Sequence, residues 1–361
     1  MEIEHFSGRL SRKYLTFFWV ILPTFLVSSA AHAHVKWFVE TEDQFKDVYF
    51  QSDWISGALI LGAVFYLAIA LGAYNKAKNS DFIAQILYKP ALPSTVVPVL
   101  LRLAAATFLL GNILQDNFVA PNFTAGDLSS MERLLQGSLL VLLVANARLF
   151  SIGLIVFSLS LFIYHPFSNA IDYAPELLAL AIAIYIYPSN RVENTANKLS
   201  FIKGGTAISR EALAVTVVRV GLGIQLIILT IHDKLIDPGL ALNFLSGYPY
   251  INFMSVLFPS FTDLHFILAA GLAELCFGLL LITNISTRLS TFCILFFFSL
   301  SGVILGPHEL VGHIPIVILA IIVFSVPGAD TEIKITGLST PLFNNAFSGD
   351  IVRALRNQIA R

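Results

Sequence analysis

Six of the eight histidines in this chain fall at or near the ends of apolar stretches: His34, His165, His232, His265, His308 and His313. Asp116, Asp172, Glu176, Asp233, Asp263 and Glu309 lie close to them in sequence. Neutral imidazoles and carboxylates are ligands for copper, zinc or iron, and they also pass protons near neutral pH. Histidine is amphipathic, and helix ends are where polar residues sit. That explains any one of the six. It explains less well why all six face one side, since the other side has as many helix ends. A shared site and a scatter of interfacial histidines both remain open.

Three groups are singled out. The first is His34, His265, His308 and His313 as metal ligands. His34 follows Ala31-His32-Ala33, and cleavage there would give it an α-amine beside its imidazole, a chelate that suits copper. In "PHELVGH", His308 and His313 are five apart, about 140° around a helix. They cannot share one zinc as the i, i+4 histidines of a zinc protease do. The second group is His232, Asp233 and Lys234, at the outer end of one span, as a cofactor-binding run. The third is Glu274 with Arg219. An ionisable group in mid-span is expensive and normally faces a partner or a cavity. Counted from the span ends, the two differ in depth by ~3–5 Å, which predicts an ion pair, either a structural bridge or a proton or anion relay with Arg219 and Glu274 as its catalytic groups.

These residues are positioned by a membrane-embedded chain. Of 361 residues, 56% are hydrophobic and 12% charged, about half the charge of a soluble domain. The formal net charge of −1 argues against a nucleic-acid partner. Cys276 and Cys293 lie in apolar runs without CxxC or zinc-type spacing, and read as packing residues. Arg9, Arg12 and Lys13, then an apolar Tyr14–Val27 and small residues up to Ala33, have the anatomy of a secretory signal peptide over 1–33; an uncleaved anchor gives the same downstream topology. An extra-cytoplasmic segment 34–53 follows.

Nine further spans are expected: 54–74, 96–115, 128–146, 149–165, 172–188, 212–232, 264–283, 288–305 and 309–327. Basic residues collect in "YNKAKNSDF", at Arg148 and Arg288, in the linker 189–211 and in the tail 328–361. The positive-inside rule makes these cytoplasmic and puts the histidines outside, in the periplasm of a Gram-negative cell. The loop "LALNFLSGYPYINFMSVLFPSF" is aromatic and reads as an interfacial segment.

The chain repeats itself. "LLRLAAATFLLGNILQDNFVAP" resembles "VVRVGLGIQLIILTIHDKLIDP", with Arg102 matched to Arg219, Asp116 to Asp233 and Pro121 to Pro238, each pair 117 residues apart. Further on, "LLVLLVANARLF" resembles "GLLLITNISTRLS" and "APELLALAIAIYIYP" resembles "GHIPIVILAIIVFSVP", at a spacing near 140. Each copy holds four spans, so the two have the same orientation. Near the depth of Glu274 the first copy has Gln136.

The second copy, through "RVGLGIQLIILTIHDKL" and "GLAELCFGLLLITNISTRLS", resembles the DoxX family of four-helix membrane proteins. The resemblance implies a four-helix bundle and, in some members, a quinone-linked or thiol-linked redox system. The expected fold is therefore an all-α integral membrane protein, with two parallel four-helix DoxX-like units (96–188 and 212–327) and one extra transmembrane helix (54–74) after a signal peptide. The lipid bilayer is its solvent. The expected function is an outward-facing component of a redox or quinone-linked membrane system with a membrane redox partner. The alternatives are a periplasm-facing protein handling copper or zinc, and a non-catalytic scaffold for a partner enzyme.

Overall fold

The computed structural model describes residues 48–77, 92–115, 117–119, 129–187, 198–199, 208–305 and 307–326. The expected signal peptide, His34, Asp116, the inner loop after residue 77, most of the linker and the tail lie outside the described residues.

Each of the nine expected spans is a helix. They are α1 (Trp54–Ala77), α2 (Val97–Leu114), α3 (Ser129–Ala145), α4 (Ala147–Tyr164), α5 (Ala174–Ile186), α6 (Arg210–Thr230), α8 (Asp263–Ile282), α9 (Thr287–Leu305) and α10 (Pro307–Ser325), while α7 (Pro238–Gly247) lies in the long loop after α6. Apart from a two-residue antiparallel ladder, Lys198–Leu199 with Ile208–Ser209, the regular structure is helical. In hydrocarbon every backbone polar group must be satisfied within the chain, which leaves the helix as the natural form of these apolar runs. Among the described residues, five helical stretches are long and apolar enough to cross a bilayer: Trp54–Tyr74, Val97–Leu114, Ala147–Tyr164, Arg210–Ile236 and Asp263–Ile282. Large apolar side chains such as Leu61, Phe65, Val156 and Ile163 point outward. The chain is a multi-pass membrane protein.

Local signals set the helix ends. Pro98, Pro175 and Pro238 stand in first turns, where their missing N–H costs nothing. Asn146 caps α4 by accepting from the N–H groups of Arg148 and Leu149. Between α8 and α9 the chain reverses through Asn284 at φ 57° and Ser286 at φ 50°; asparagine tolerates that left-handed conformation better than most residues.

The helices pack as two rings. α2 touches α3, α3 touches α4, α4 touches α5, and α5 returns to α2. In the same order α6 touches α8, α8 touches α9, α9 touches α10, and α10 returns to α6. The rings meet along two seams, α5 against α6 and α10 against α2. The fourth helix of each ring thus packs on the first helix of the other. One continuous core, with Leu109, Phe150, Leu161, Leu180, Leu222 and Leu319 fully buried, runs through both rings. α1 stands outside them and packs on α8.

Two glycines on α6 allow its close contacts. A Cβ at Gly221 would fall 2.1 Å from the Cβ of Ala179 on α5. One at Gly223 would fall 2.8 Å from the Gly278 carbonyl oxygen on α8, and one at Gly278 would meet the Gly223 carbonyl at the same distance. Small residues let membrane helices approach in this way, where burial against lipid supplies little driving force. Replacing Gly223 or Gly278 by Val should cost about 1–3 kcal/mol or more through overpacking. Gly62→Val on α1, where a Cβ meets nothing within 4 Å, should be near neutral. Thermal unfolding in detergent checks this, and equal melting temperatures for the three variants would contradict the packing.

Candidate metal centre

The last turns of α6 carry the main cluster. After Thr230 the helix widens into a π-helical segment, Ile231–Ile236, a distortion found often at functional sites. It holds His232, Asp233 and Lys234 and points them at different neighbours. Asp237 then accepts from the Gly239 N–H at 3.3 Å and starts α7.

Toward α5, His232 Nδ1 lies 2.9 Å from Asp233 Oδ1 and 3.4 Å from Asp172 Oδ1. Asp172 closes a one-turn helix, Phe167–Ile171, just before α5. The ligand atoms of Asp172, His232 and Asp233 all lie within 4.8 Å of one another. Asp172 is 1% exposed and Asp233 4%, so these carboxylates are enclosed by protein. A cation between them would take the place of the imidazole proton that Nδ1 now shares with Asp233.

Gln225, 2% exposed on α6, ties the two sides together. Its Nε2 donates to the backbone oxygen of Asp172, and its Oε1 accepts from the Glu176 N–H at 3.3 Å. The donor freed at the start of α5 thus finds its partner on α6.

Toward α8, Lys234 forms an ion pair with Glu274, and Thr230 Oγ1 donates to the same carboxylate at 3.0 Å. This corrects the expected Arg219–Glu274 pair. Gly223 sits against Gly278, so Arg219 lies four residues to one side of that contact and Glu274 four to the other, about 12 Å apart along the bundle. Arg219 Nη1 donates instead to the backbone oxygens of Leu281 and Ile282, in the last turn of α8, where a cation is favoured. Arg288 does likewise for α10, donating to the Phe324 carbonyl at 3.3 Å.

The first ring has a comparable link. Gln136 donates to the backbone oxygens of Asn117 and Phe118. The 117-residue spacing matches Asn117 to Lys234, and the 138-residue spacing of Asn146 and Asn284 matches Gln136 to Glu274. Both rings link their first two helices at this place. One link is neutral and the other is charged.

Of the proposed metal-ligand histidines, the two whose side chains are described, His265 and His313, meet other neighbours. His265 closes a capping box at the start of α8: its Nδ1 accepts from the Thr262 N–H at 3.0 Å. The ring proton is therefore on Nε2, which donates to Asp53 Oδ2 at 2.7 Å. Both ring nitrogens are engaged, and the bond pins the start of α1 to α8. His313 is buried in α10 with its ring centroid 4.5 Å from that of Phe298. His308 is in the first turn of α10, and its side chain lies outside the described residues. His165 ends α4, and burial lowers its pKa. Asp172 counted in the sequence only as one carboxylate among several, and nothing in it pointed to Gln225.

No protein-family model, curated protein or solved structure matches this chain.

Two predictions test these contacts. Glu274→Gln alone leaves the Lys234 ammonium without its counter-ion. It should cost on the order of 1–3 kcal/mol, below the ~3–5 of a fully buried pair because both side chains are partly exposed. Lys234→Asn with Glu274→Gln copies the neutral link of the first ring and should recover much of that loss. Purely additive melting shifts would mean that the two residues are not coupled.

The second concerns Asp53. The Ser56 backbone N–H, 2.8 Å from Oδ1, is the main cause that holds its carboxyl below its ordinary value of 3.8; the His265 contact adds to this, against an opposing effect of burial. A lowered folded value means stabilisation present above pH 3.8 and lost as pH falls through the lower value. Asp53→Asn should therefore melt below wild type at about pH 7, with the gap closing below about pH 4. A gap that widens on acidification would reverse the sign.

Proposed function

We propose that this multi-pass membrane protein holds one divalent transition-metal ion, of the zinc class, at the seam between its two helix rings. The carrying observation is the Asp172–His232–Asp233 cluster: one imidazole and two enclosed carboxylates within 4.8 Å of one another. Mixed nitrogen and oxygen ligands suit zinc and its harder neighbours better than Cu(I), which favours sulfur. The ligands come from both rings, Asp172 from before the fourth helix of one and His232 and Asp233 from the end of the first helix of the other. Binding would therefore join the rings. The earlier metal reading keeps its chemistry, with its centre moved from His265, His308 and His313 to this cluster. A copper chelate at His34 is a separate proposal that depends on cleavage after Ala33.

The reading of the chain as a tandem DoxX-like protein is supported by the matching contact order of the rings and by the equivalent Gln136 and Lys234–Glu274 links. The distribution of basic residues supports a cytoplasmic C-terminus in a bacterial inner membrane, with the metal cluster outward. A redox or quinone-linked role, with its membrane redox partner, rests on the family resemblance.

Zinc titration of the purified full chain should show one equivalent bound. Asp172→Asn, His232→Ala and Asp233→Asn should each weaken binding by more than the ~10–100-fold typical of an outer-shell partner. Asp237→Asn, which only caps α7, should bind as wild type does. No saturable zinc binding, or equal binding by all four variants, would remove this function.

A further inference from the structure

We infer that Gln225 is the positioning residue of the Asp172–His232–Asp233 site, and that its presence at one seam only limits the two seams to a single metal ion. The inference rests on the metal-binding reading above.

Asp172 reaches the site from a short turn between α4 and α5, a segment that α6 does not carry. Its carboxylate meets His232 and Asp233 only if that turn is held against α6. Gln225 does so with one buried amide. It donates to the Asp172 backbone oxygen and accepts from the Glu176 N–H, so both bonds cross the seam. Gln225 is seven residues before His232, about 10 Å along the helix. It lies below the ligands and acts through the backbone of Asp172. The contact at Gly221 and Ala179, a further turn below, brings the helices near enough for the amide to span. Outer-shell partners of this kind orient ligands that are themselves mobile.

The other seam is an internal comparison. By the 117-residue spacing, the positions matched to Gln225 and His232 are Phe108 and Gln115. Pro188 and Pro327 are 139 apart, which matches Asp172 to Val311. An amide clamp, an imidazole and the Asp172 carboxylate are thus replaced by an aromatic ring, an amide and an aliphatic side chain, while Asp233 keeps a carboxylate counterpart in Asp116. Phe108 is buried in the core, so at the clamp position that seam is apolar. A clamp kept only for helix packing would suit either seam. Its occurrence together with the ligands ties it to the site.

The test uses the full chain in detergent with zinc as the probe. Gln225→Met keeps the length and removes both hydrogen bonds. Gln225→Asn keeps the amide but is one methylene too short to span the seam. The readouts are the melting temperature without metal and the zinc Kd of the folded protein. Wild type should bind one zinc, and either variant should bind about 10–100-fold more weakly while its metal-free melting temperature stays within a few degrees. A merely structural role predicts the reverse split, a lowered metal-free melting temperature with an unchanged Kd, and that result overturns the inference. If Gln225→Met does not fold, the Kd of Gln225→Asn decides by the same criterion. Two zinc ions per wild-type chain would overturn the single-seam part. Failure of wild type to bind zinc defeats the metal reading itself, whereas wild-type binding with an unaltered Gln225 variant defeats this inference alone.

Discussion

The close approach of α6 to its neighbours on both sides is the constraint on which the rest of the structure depends. Gly221 admits Ala179 of α5, and Gly223 admits Gly278 of α8. With nothing larger at these places, three backbones pack within van der Waals contact in a medium where apolar side chains gain little by leaving lipid. α6 is therefore shared: it is the first helix of its own ring and the wall of the other ring's fourth helix. The Asp172–His232–Asp233 cluster and the Lys234–Glu274 pair lie toward the α6 C-terminus from those glycines, where the same three helices remain close.

That geometry explains why three consecutive residues serve different helices. Asp233 and His232 meet Asp172 on the α5 side, while Lys234 meets Glu274 on the α8 side. The wider turn at Ile231–Ile236 spaces these side chains differently from a regular helix. The two clusters have opposite character. Lys234 and Glu274 balance each other's charge, with Thr230 filling a further acceptor site on the carboxylate. The α5 side gathers two carboxylates around one imidazole, which is an arrangement suited to a cation.

Much of the fold was legible in the sequence because hydropathy records where a helix enters and leaves a membrane. The nine helical spans, the place of His232-Asp233-Lys234 at a helix end and the cost of Glu274 all follow from such local signals. Axial register between helices does not. Counting from span ends put Arg219 beside Glu274, whereas the Gly223–Gly278 contact fixes the shift and sends Arg219 to the carbonyls of Leu281 and Ile282. Nor does hydropathy say which helix of one ring meets which of the other. Asp172 and Gln225 are 53 residues apart, and only the α5–α6 seam makes them neighbours. His265 was misjudged for a related reason. Its partner, Asp53, belongs to the extra helix outside both rings, so the repeat could not reveal it.

The two rings also differ in what they kept. At equivalent places one has Asn117 and Gln136, satisfied through backbone oxygens, and the other has Lys234 and Glu274, satisfied by each other. The same contrast recurs at the seams, where Phe108 stands for Gln225 and Val311 for Asp172. Two rings with the same contact order meet along two corresponding seams. A charged or ligand-bearing seam costs desolvation in a membrane unless a partner or an ion compensates it, a cost that Phe108 avoids at the place where the other seam has Gln225. Under the duplication reading, one unit supplies the charged helix. The other supplies the wall against which that helix works and lends it a single carboxylate, Asp172.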